Sequence, residues 1–238
     1  MRLDVYLHEN GYARSRSRAQ EMVKSGLVKL SGKTAKKASI NVEPYDVTVE
    51  EDHPYVSRAA LKLKKALDTW KISVEGKAVL DMGASTGGFT QVLCESGAEK
   101  IYAVDVGTDQ LAEEVKALPQ VVDMPQMDGR DLAASIFDPM PTFMVSDLSF
   151  ISCTKVLPFA FEELPSIEEV ICLVKPQFEL SPQAISKGGL VKNEALHEEA
   201  ITSVKAMFEK EGFTVKELMD SPVLGGDGNK EFLLWAKK

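Results

Sequence analysis

From Lys77 to Thr90 the chain reads Lys77-Ala-Val-Leu-Asp-Met-Gly-Ala-Ser-Thr-Gly-Gly-Phe-Thr90, and this stretch constrains the fold more tightly than any other. Ala78-Val79-Leu80 is a short apolar run of the kind that forms a buried parallel strand. It ends on Asp81, passes through Gly83, Gly87 and Gly88, and enters a helix-like segment. A strand, a glycine-rich turn and a helix in that order open a doubly wound sheet, whose ligands bind outside the carboxyl ends of its strands.

The glycine spacing narrows the ligand. It is not G-x-G-x-x-G, and no Lys-Ser/Thr pair follows as in a phosphate-cradling loop, which disfavours dinucleotides and nucleoside triphosphates. A carboxylate at the strand end repels a pyrophosphate and favours a cation. S-adenosylmethionine, with its sulfonium and ammonium charges, fits, and glycines let the backbone approach it closely because they lack a Cβ.

Beyond this turn, strands and helices alternate. Gly88 to Glu95 reads as helix, Lys100 to Val104 as a second strand closed by Asp105, and Val121-Val122 as a third with Asp128 just beyond. Asp105 lies 24 residues past Asp81, near the interval at which an acidic residue meets a ribose hydroxyl in nucleoside-binding α/β folds. Thr142 to Ser146 predicts a fourth strand ending at Asp147, and Val170 to Val174 a fifth ending at Lys175. Asn193 to Gly212 predicts a long amphipathic helix. Phe213 to Leu218 and Glu231 to Ala236, joined by the turn-rich Gly225-Gly-Asp-Gly228, predict a closing strand pair. Such alternation implies a mostly parallel sheet covered on both faces. Asp81, Asp105, Asp147 and Lys175 would then share one rim.

The formal net charge of −8 over 238 residues argues against a nucleic-acid partner only until it is divided along the chain. Residues 2–37 carry nine Lys or Arg against Asp4, Glu9 and Glu21, a balance of +6, and the remainder carries −14. The basic segment predicts a small module: a first helix from Leu3, a second capped by Ser15, then a hairpin from Val28 turning at Ser31-Gly32. Pro54 keeps His53 out of helical geometry, so the domains are expected to span 1–54 and 55–238. Met1-Arg2-Leu3-Asp4 lacks the apolar core of a signal peptide, and no run approaches the roughly 18 apolar residues of a membrane span, which predicts a cytoplasmic protein with no membrane partner. Cys94, Cys153 and Cys172 form no C-x-x-C and the three histidines are scattered; no metal is expected, and the cysteines read as buried small hydrophobes.

The chemistry follows from the acceptor. The position after the fourth strand reads Ser146-Asp147-Leu148-Ser149-Phe150 rather than the Asn/Asp-Pro-Pro-aromatic loop that handles base amino groups, and Cys153 lacks the neighbouring proline expected of a carbon-methylating nucleophile. A hydroxyl acceptor remains, a weak nucleophile that benefits from a nearby base. A lysine can serve when burial and cationic neighbours bring its pKa to about 7 to 8. Lys175, before Pro176, and Lys62, in Ser57-Arg58-Ala-Ala-Leu-Lys62-Leu63, have that option, Lys62 by curling over the rim from its helix.

Arg2-Leu-Asp4, Ser17-Arg-Ala-Gln20, Val23-Lys-Ser-Gly-Leu-Val28 and Ser31-Gly32-Lys33 resemble the S4 RNA-binding domain over about residues 1–50. The resemblance implies a small α+β module that grips folded RNA through its phosphates, with Arg2, Arg14, Arg16, Arg18, Lys24, Lys29, Lys33, Lys36 and Lys37 as the RNA-binding set. S-R-x-x-x-K-L before D-x-G-x-x-x-G-G-F, then S-D, V-K and a late carboxylate, is similar to the FtsJ-type ribose 2′-O-methyltransferases, whose Lys-Asp-Lys-Glu tetrad falls on Lys62, Asp147, Lys175 and Glu231. With A-V-D-V-G, S-F-I-S, V-K-P-Q-F-E and G-G-D-G-N-x-E-F-L, the whole chain resembles the TlyA family, sometimes labelled hemolysin A, which joins an S4 domain to this Rossmann-like, mostly parallel S-adenosylmethionine-dependent methyltransferase sheet with an antiparallel closing strand.

That resemblance implies cytidine 2′-O-methylation of ribosomal RNA, with ribosomal RNA or subunits as partners. It implies S-adenosylmethionine contacts from Asp81, Gly83, Ser85, Gly87, Asp105 and Asp128, with Asp105 on the ribose and Asp128 near the adenine. Their neighbours Ala84, Gly88, Phe89, Val106 and Gly129 complete the expected set. Two departures stand out: Ala59-Ala60 where the family has Gly-Gly, and Asp128-Gly129-Arg130 where it has Asn-x-Arg. Two rival readings are a non-catalytic ribosome-assembly factor, against which the intact tetrad speaks, and a membrane-active hemolysin, for which the sequence has no spanning segment or strongly amphipathic cationic helix.

Overall fold

The computed structural model describes the chain except residues 14, 43–46, 50–53, 186–188 and 226–227. Arg14, the linker residues 50–53 and the centre of the Gly225–Gly228 turn therefore lie outside the described residues. The chain divides into two compact units, Met1–Pro54 and Tyr55–Lys238.

The first unit holds α1 (Leu3–Glu9), α2 (Arg16–Lys24), β1 (Val28–Leu30), β2 (Lys33–Thr34) and β3 (Val47–Val49), with a sheet in the order β2-β1-β3. Ser15 caps α2 by accepting a hydrogen bond from the Arg18 amide at 3.1 Å, which supplies a partner for an otherwise orphaned first-turn donor. Leu3, Leu7, Ala19, Met22, Val23 and Val28 form its small core.

The second unit runs α3 (Ala59–Trp70), β4 (Ala78–Met82), α4 (Gly88–Glu95), β5 (Lys100–Val104), α5 (Glu113–Lys116), β6 (Val121–Met124), β7 (Phe143–Ser146), α6 (Leu157–Glu163), β8 (Glu169–Val174), α7 (Pro176–Glu179), α8 (Glu194–Lys210), β9 (Thr214–Asp220) and β10 (Phe232–Lys237). Its seven strands lie in the order β6-β5-β4-β7-β8-β10-β9. β4 to β8 pair in parallel, while β10 runs antiparallel to both β8 and β9. This is the mostly parallel α/β sheet with one reversed closing strand that the alternation predicts.

Alternate residues of each strand serve opposite faces, as the period of two requires. Leu80, Met82, Tyr102, Met144 and Cys172 pack with Leu157, Phe161, Val204 and Phe208 on one face. Val79, Ile101, Phe143, Val145 and Ile171 pack with Leu63, Leu67, Phe89 and Leu93 on the other. Each such fully buried side chain contributes about 1.5–3 kcal/mol. Cys153 and Cys172 belong to this core, whereas Cys94 is only half buried, because it sits at the last turn of α4, beside the helix end.

Strand order builds the rim. The chain leaves β4 towards β5 on one side and reaches β7 on the other, so a crevice opens at the carboxyl end of β4, the place where doubly wound sheets hold ligands. Because β10 is reversed, its first residue, Phe232, pairs with the last residue of β8, Val174. Glu231, just before β10, is thereby delivered to the same rim as Lys175, just after β8.

Candidate active site

The turn after β4 is held open by hydrogen bonds from the amides of Gly83 and Ala84 to the Val104 carbonyl, at 2.9 and 3.1 Å. Gly83 adopts φ +83°, and a Cβ there would stand 3.0 Å from the Asp147 carbonyl oxygen; Gly87 adopts φ +92°, and its Cβ would stand 2.7 Å from Leu111. Both positions have a left-handed backbone that favours glycine, and at Gly83 the close neighbour is backbone, which cannot yield as the Leu111 side chain can.

A cleft of about 510 Å³ lies outside β4, β5 and β7, lined by Gly83, Ser85, Asp105, Val106, Asp128 and Gly129, and also by Met82, Val104, Gln110, Met127, Asp147, Leu148, Phe150 and Ile151. A smaller recess of about 150 Å³ lies beside it, lined by Ser57, Ala84, Thr86, Gly88, Phe89, Asp147, Ser149 and Lys175 among others. Most of the expected cofactor residues thus border one of these spaces. Asp81 and Gly87 line neither: Asp81 is wholly buried and Gly87 packs under the turn.

The main cleft suits a cationic nucleoside. Asp105, Asp128 and Asp147 supply carboxylates to its wall, aliphatic side chains supply an apolar slot, and no Lys or Arg is among the described lining residues, so a phosphate finds no countercharge there. Asp105 is fixed by the amides of Ser85 and Gly107, both donating to its carboxylate at 2.8 Å. The Asp128 carboxylate is gripped by Arg130 through Nε at 2.9 Å and a terminal nitrogen at 2.6 Å, and this pairing holds its pKa below the ordinary value. Asp81 behaves oppositely. Burial, opposed by a hydrogen bond from Thr90 Oγ1 at 2.6 Å and reinforced by Asp147 and Asp105, pushes its pKa from 3.8 up to about 7.

Two ammonium–carboxylate pairs meet the rim. Lys62 Nζ donates to Glu231 Oε2 at 2.6 Å, with both side chains almost entirely buried. Lys175 Nζ is ion-paired with Asp147 and donates to Ser149 Oγ at 2.7 Å. Lys62 is therefore not the surface amine that a reading of its helix alone suggests. Its α3 presents Ala60, Leu63, Ala66 and Leu67 to the core, and the lysine stem follows them inward because a buried carboxylate waits at its tip. Gln177 Nε2 reaches the other Glu231 oxygen at 3.4 Å. Asp81 Oδ1, Ser146 Oγ and Gln177 Oε1 are buried without a hydrogen-bond partner among the described residues. Asp81 Oδ1 lies beneath the turn, while Ser146 Oγ and Gln177 Oε1 lie at the carboxyl ends of β7 and β8.

Ser149, Phe150 and Gln177 were not singled out by sequence reasoning. Phe150 is 92% exposed and adopts φ +66°, a conformation that costs a bulky residue free energy and persists where surroundings impose it. Its ring lies 5.3 Å from that of Phe178. The adjacent Ser-Asp motif was the available signal, since an apolar residue exposed at a ligand cleft is informative where a buried one is not.

In the first unit, Arg2 and Arg16 bind the buried Asp4 carboxylate at 2.9 and 3.3 Å, and the Arg2 contact holds its pKa well below the carboxylate range. Arg18 is turned inward, buried and paired with Glu21 at 2.6 Å. Lys24, Lys33, Lys36 and Lys37 are exposed, and Lys29 is half buried. Among the described members of the basic set, Arg18 is turned inward, Arg2 and Arg16 hold Asp4 while remaining about half exposed, and Lys24, Lys33, Lys36 and Lys37 face solvent.

A mostly parallel seven-stranded sheet with a reversed penultimate strand, a glycine turn after its first strand and an acidic, phosphate-averse cleft define an S-adenosylmethionine-dependent methyltransferase fold. A solved protein from Listeria monocytogenes that carries an S-adenosylmethionine-dependent methyltransferase name shares that fold at 15% identity, TM-score 0.55, over 76% of this chain and 98% of its own. The chain belongs to the FtsJ-like methyltransferase family, whose profile matches residues 55–238, with an S4 domain at residues 1–47.

It is 41% identical to "Hemolysin A" of Brachyspira hyodysenteriae over 98% of both chains. It is 36% identical to the "16S/23S rRNA (cytidine-2'-O)-methyltransferase TlyA" of Mycobacterium tuberculosis, over 99% of this chain and 89% of that one. A solved protein from Streptococcus thermophilus that carries a hemolysin name matches with TM-score 0.80 and 38% identity, over 100% of this chain and 88% of its own. No helix among the described residues is long and apolar enough to cross a membrane.

Proposed function

We propose that this protein methylates the 2′-hydroxyl of a cytidine ribose in ribosomal RNA, with residues 1–54 docking the RNA and residues 55–238 performing the transfer. The observation that carries the reading is the Lys175–Asp147 pair in the recess beside the cofactor cleft, with the buried Lys62–Glu231 pair brought next to it by the pairing of β10 with β8. Neither a base-amino loop nor an activated cysteine accompanies them, and a hydroxyl is the acceptor that needs a lysine base. The relatives named for rRNA cytidine 2′-O-methylation support the substrate.

S-adenosylmethionine, when bound, supplies the methyl group. In the reading proposed here Asp105 holds its ribose, Gly83, Ala84, Ser85 and Gly88 line the path of its methionine portion, and Val106, Asp128 and Gly129 border its base, with Phe89 and Asp81 supporting the turn from beneath. Lys175 is the base, ending the transfer with the one proton equivalent that the ribose hydroxyl releases. Asp147 orients that amine, Lys62 holds the acceptor or its phosphate, and Glu231 fixes Lys62. Holding the hydroxyl oxygen roughly 3 to 3.5 Å from the methyl carbon supplies much of the rate enhancement. The exposed Phe150 ring at the cleft mouth provides a face on which a base turned out of its stack can rest. Lys24, Lys29, Lys33, Lys36 and Lys37 meet RNA phosphates together with the exposed Arg2 and Arg16, which also hold Asp4, while the buried Arg18 stabilises the module.

Incubating the protein with radiolabelled S-adenosylmethionine and unmethylated ribosomal subunits, then mapping the labelled nucleotide, tests the proposal. Label on a cytidine ribose is expected. Confirmed binding of both components with no transfer to either subunit or to intact ribosomes would support a non-catalytic assembly factor instead, and a Lys175→Ala variant of full rate would remove the base assignment.

A further inference from the structure

Lys175 has a complete set of polar partners. Its amine donates to Ser149 Oγ at 2.7 Å and to the Asp147 carbonyl at 3.4 Å, and it is ion-paired with the Asp147 carboxylate. The Phe178 ring, 5.9 Å from the nitrogen, covers another side. Lys175 is 6% exposed, whereas Ser149 is exposed, and the two line the same recess. An ammonium with three protons and three acceptors is saturated. To accept a proton the nitrogen must first be an amine, with two protons and one lone pair, and in this dry setting the lone pair requires a donor. The Asp147 carboxylate and carbonyl can only accept. Of the three polar partners, the Ser149 hydroxyl alone can donate.

We infer that Ser149 is a catalytic proton relay between the acceptor ribose hydroxyl and Lys175, an inference that rests on the ribose-hydroxyl reading above. In the reactive arrangement the ammonium has released its third proton to solvent through the recess that the exposed Ser149 lines. The two remaining N–H groups donate to the Asp147 carboxylate and carbonyl, and the lone pair accepts a hydrogen bond from the Ser149 hydroxyl, leaving the serine oxygen free to accept from the incoming hydroxyl. As the ribose oxygen bonds to the methyl carbon, the carbon–sulfur electron pair leaves with the sulfur of the sulfonium donor. The hydroxyl proton passes to Ser149 Oγ, and the proton already on Ser149 passes to Lys175 Nζ. The serine ends neutral, the lysine ends as an ammonium beside Asp147, and the positive charge of the sulfonium is conserved.

The test compares unaltered protein, Ser149→Ala and Ser149→Thr in single-turnover methylation of ribosomal subunits, in mixtures of light and heavy water. Binding of S-adenosylhomocysteine and of RNA is measured for each by calorimetry. Ser149→Ala is expected to slow transfer about 100-fold, the lower end of what a positioned proton-transfer group contributes. Both binding affinities should stay within about two-fold, and Ser149→Thr, which keeps the hydroxyl, should recover most of the rate. The unaltered protein should show a curved dependence of rate on deuterium fraction, from two protons in flight, and Ser149→Ala a linear one. An unaltered rate, or an unchanged curved dependence, in Ser149→Ala while the parent protein methylates a ribose would overturn the relay alone. Absence of ribose methylation by the parent protein would overturn the ribose reading and the relay with it.

Discussion

Removing Glu231 isolates Lys62. Lys62 is 7% exposed, and Glu231 is its one ionic partner among the described residues. At 2.6 Å two unit charges attract by about 6 kcal/mol at an effective dielectric constant of about 20, while withdrawing each ion from water costs several kcal/mol. The intact pair therefore contributes close to nothing net, and its loss is asymmetric. Glu231→Ala strands a buried charge and is expected to cost about 3–5 kcal/mol of stability. The double variant Lys62→Met with Glu231→Leu removes both ions at similar volume and is expected to return to within about 1 kcal/mol of the parent. Urea unfolding followed by tryptophan fluorescence reports on this unit, since Trp70 and Trp235 stack within it at 6.1 Å. Both variants should fail in methyl transfer, separating the stability role of the pair from its chemical role. A single variant less than about 1 kcal/mol below the parent, or a double variant no more stable than the single one, would refute this accounting.

Asp81 predicts a pH signature. Its folded pKa of about 7 lies above its ordinary 3.8, so the native state holds the extra proton and stability falls as pH rises between about 4 and 7, by at most about 4 kcal/mol. Asp81→Asn should flatten that slope in chemical denaturation run across pH without the cofactor, and a persistent slope would assign it elsewhere. Replacing Lys33, Lys36 and Lys37 together with Ala should weaken RNA binding and lower the slope of log affinity against log salt by about 2 to 3 if all three meet phosphates; an unchanged slope would place the RNA on another face. Phe150→Ala should weaken productive RNA binding by about 1–3 kcal/mol, the value of one base–aromatic stack, while leaving S-adenosylhomocysteine affinity intact, and an unchanged KM for RNA would exclude the stacking role.

The parts of the fold that were legible from sequence are those encoded locally. Ala78-Val79-Leu80, Lys100 to Val104 and Val170 to Val174 are apolar runs of strand length, and each forms the strand expected of it. Asn193 caps the long helix α8, its side chain accepting from the Ala195 amide at 3.0 Å, as its residue type suggests. Asp81 was legible as a strand-end acid but not as a group beneath the turn. Burial is set by what packs above a residue, and nothing in D-x-G-x-x-x-G-G reports that. Arg18 reads in sequence as one more basic residue on an exposed helix face, whereas in the folded unit it is buried and paired with Glu21.

Sequence alone determined the alternation of strands and helices, the glycine turn with its aversion to phosphate, and the segregation of basic charge into the first 37 residues. These depend on periodicity, backbone conformation and composition, which are properties of neighbouring residues. Tertiary structure alone decided that Lys62 and Glu231, 169 positions apart, share a buried hydrogen bond, and that Ser149 stands between solvent and Lys175. Those contacts follow from strand order and from the reversal of β10 against β8, which no local pattern contains.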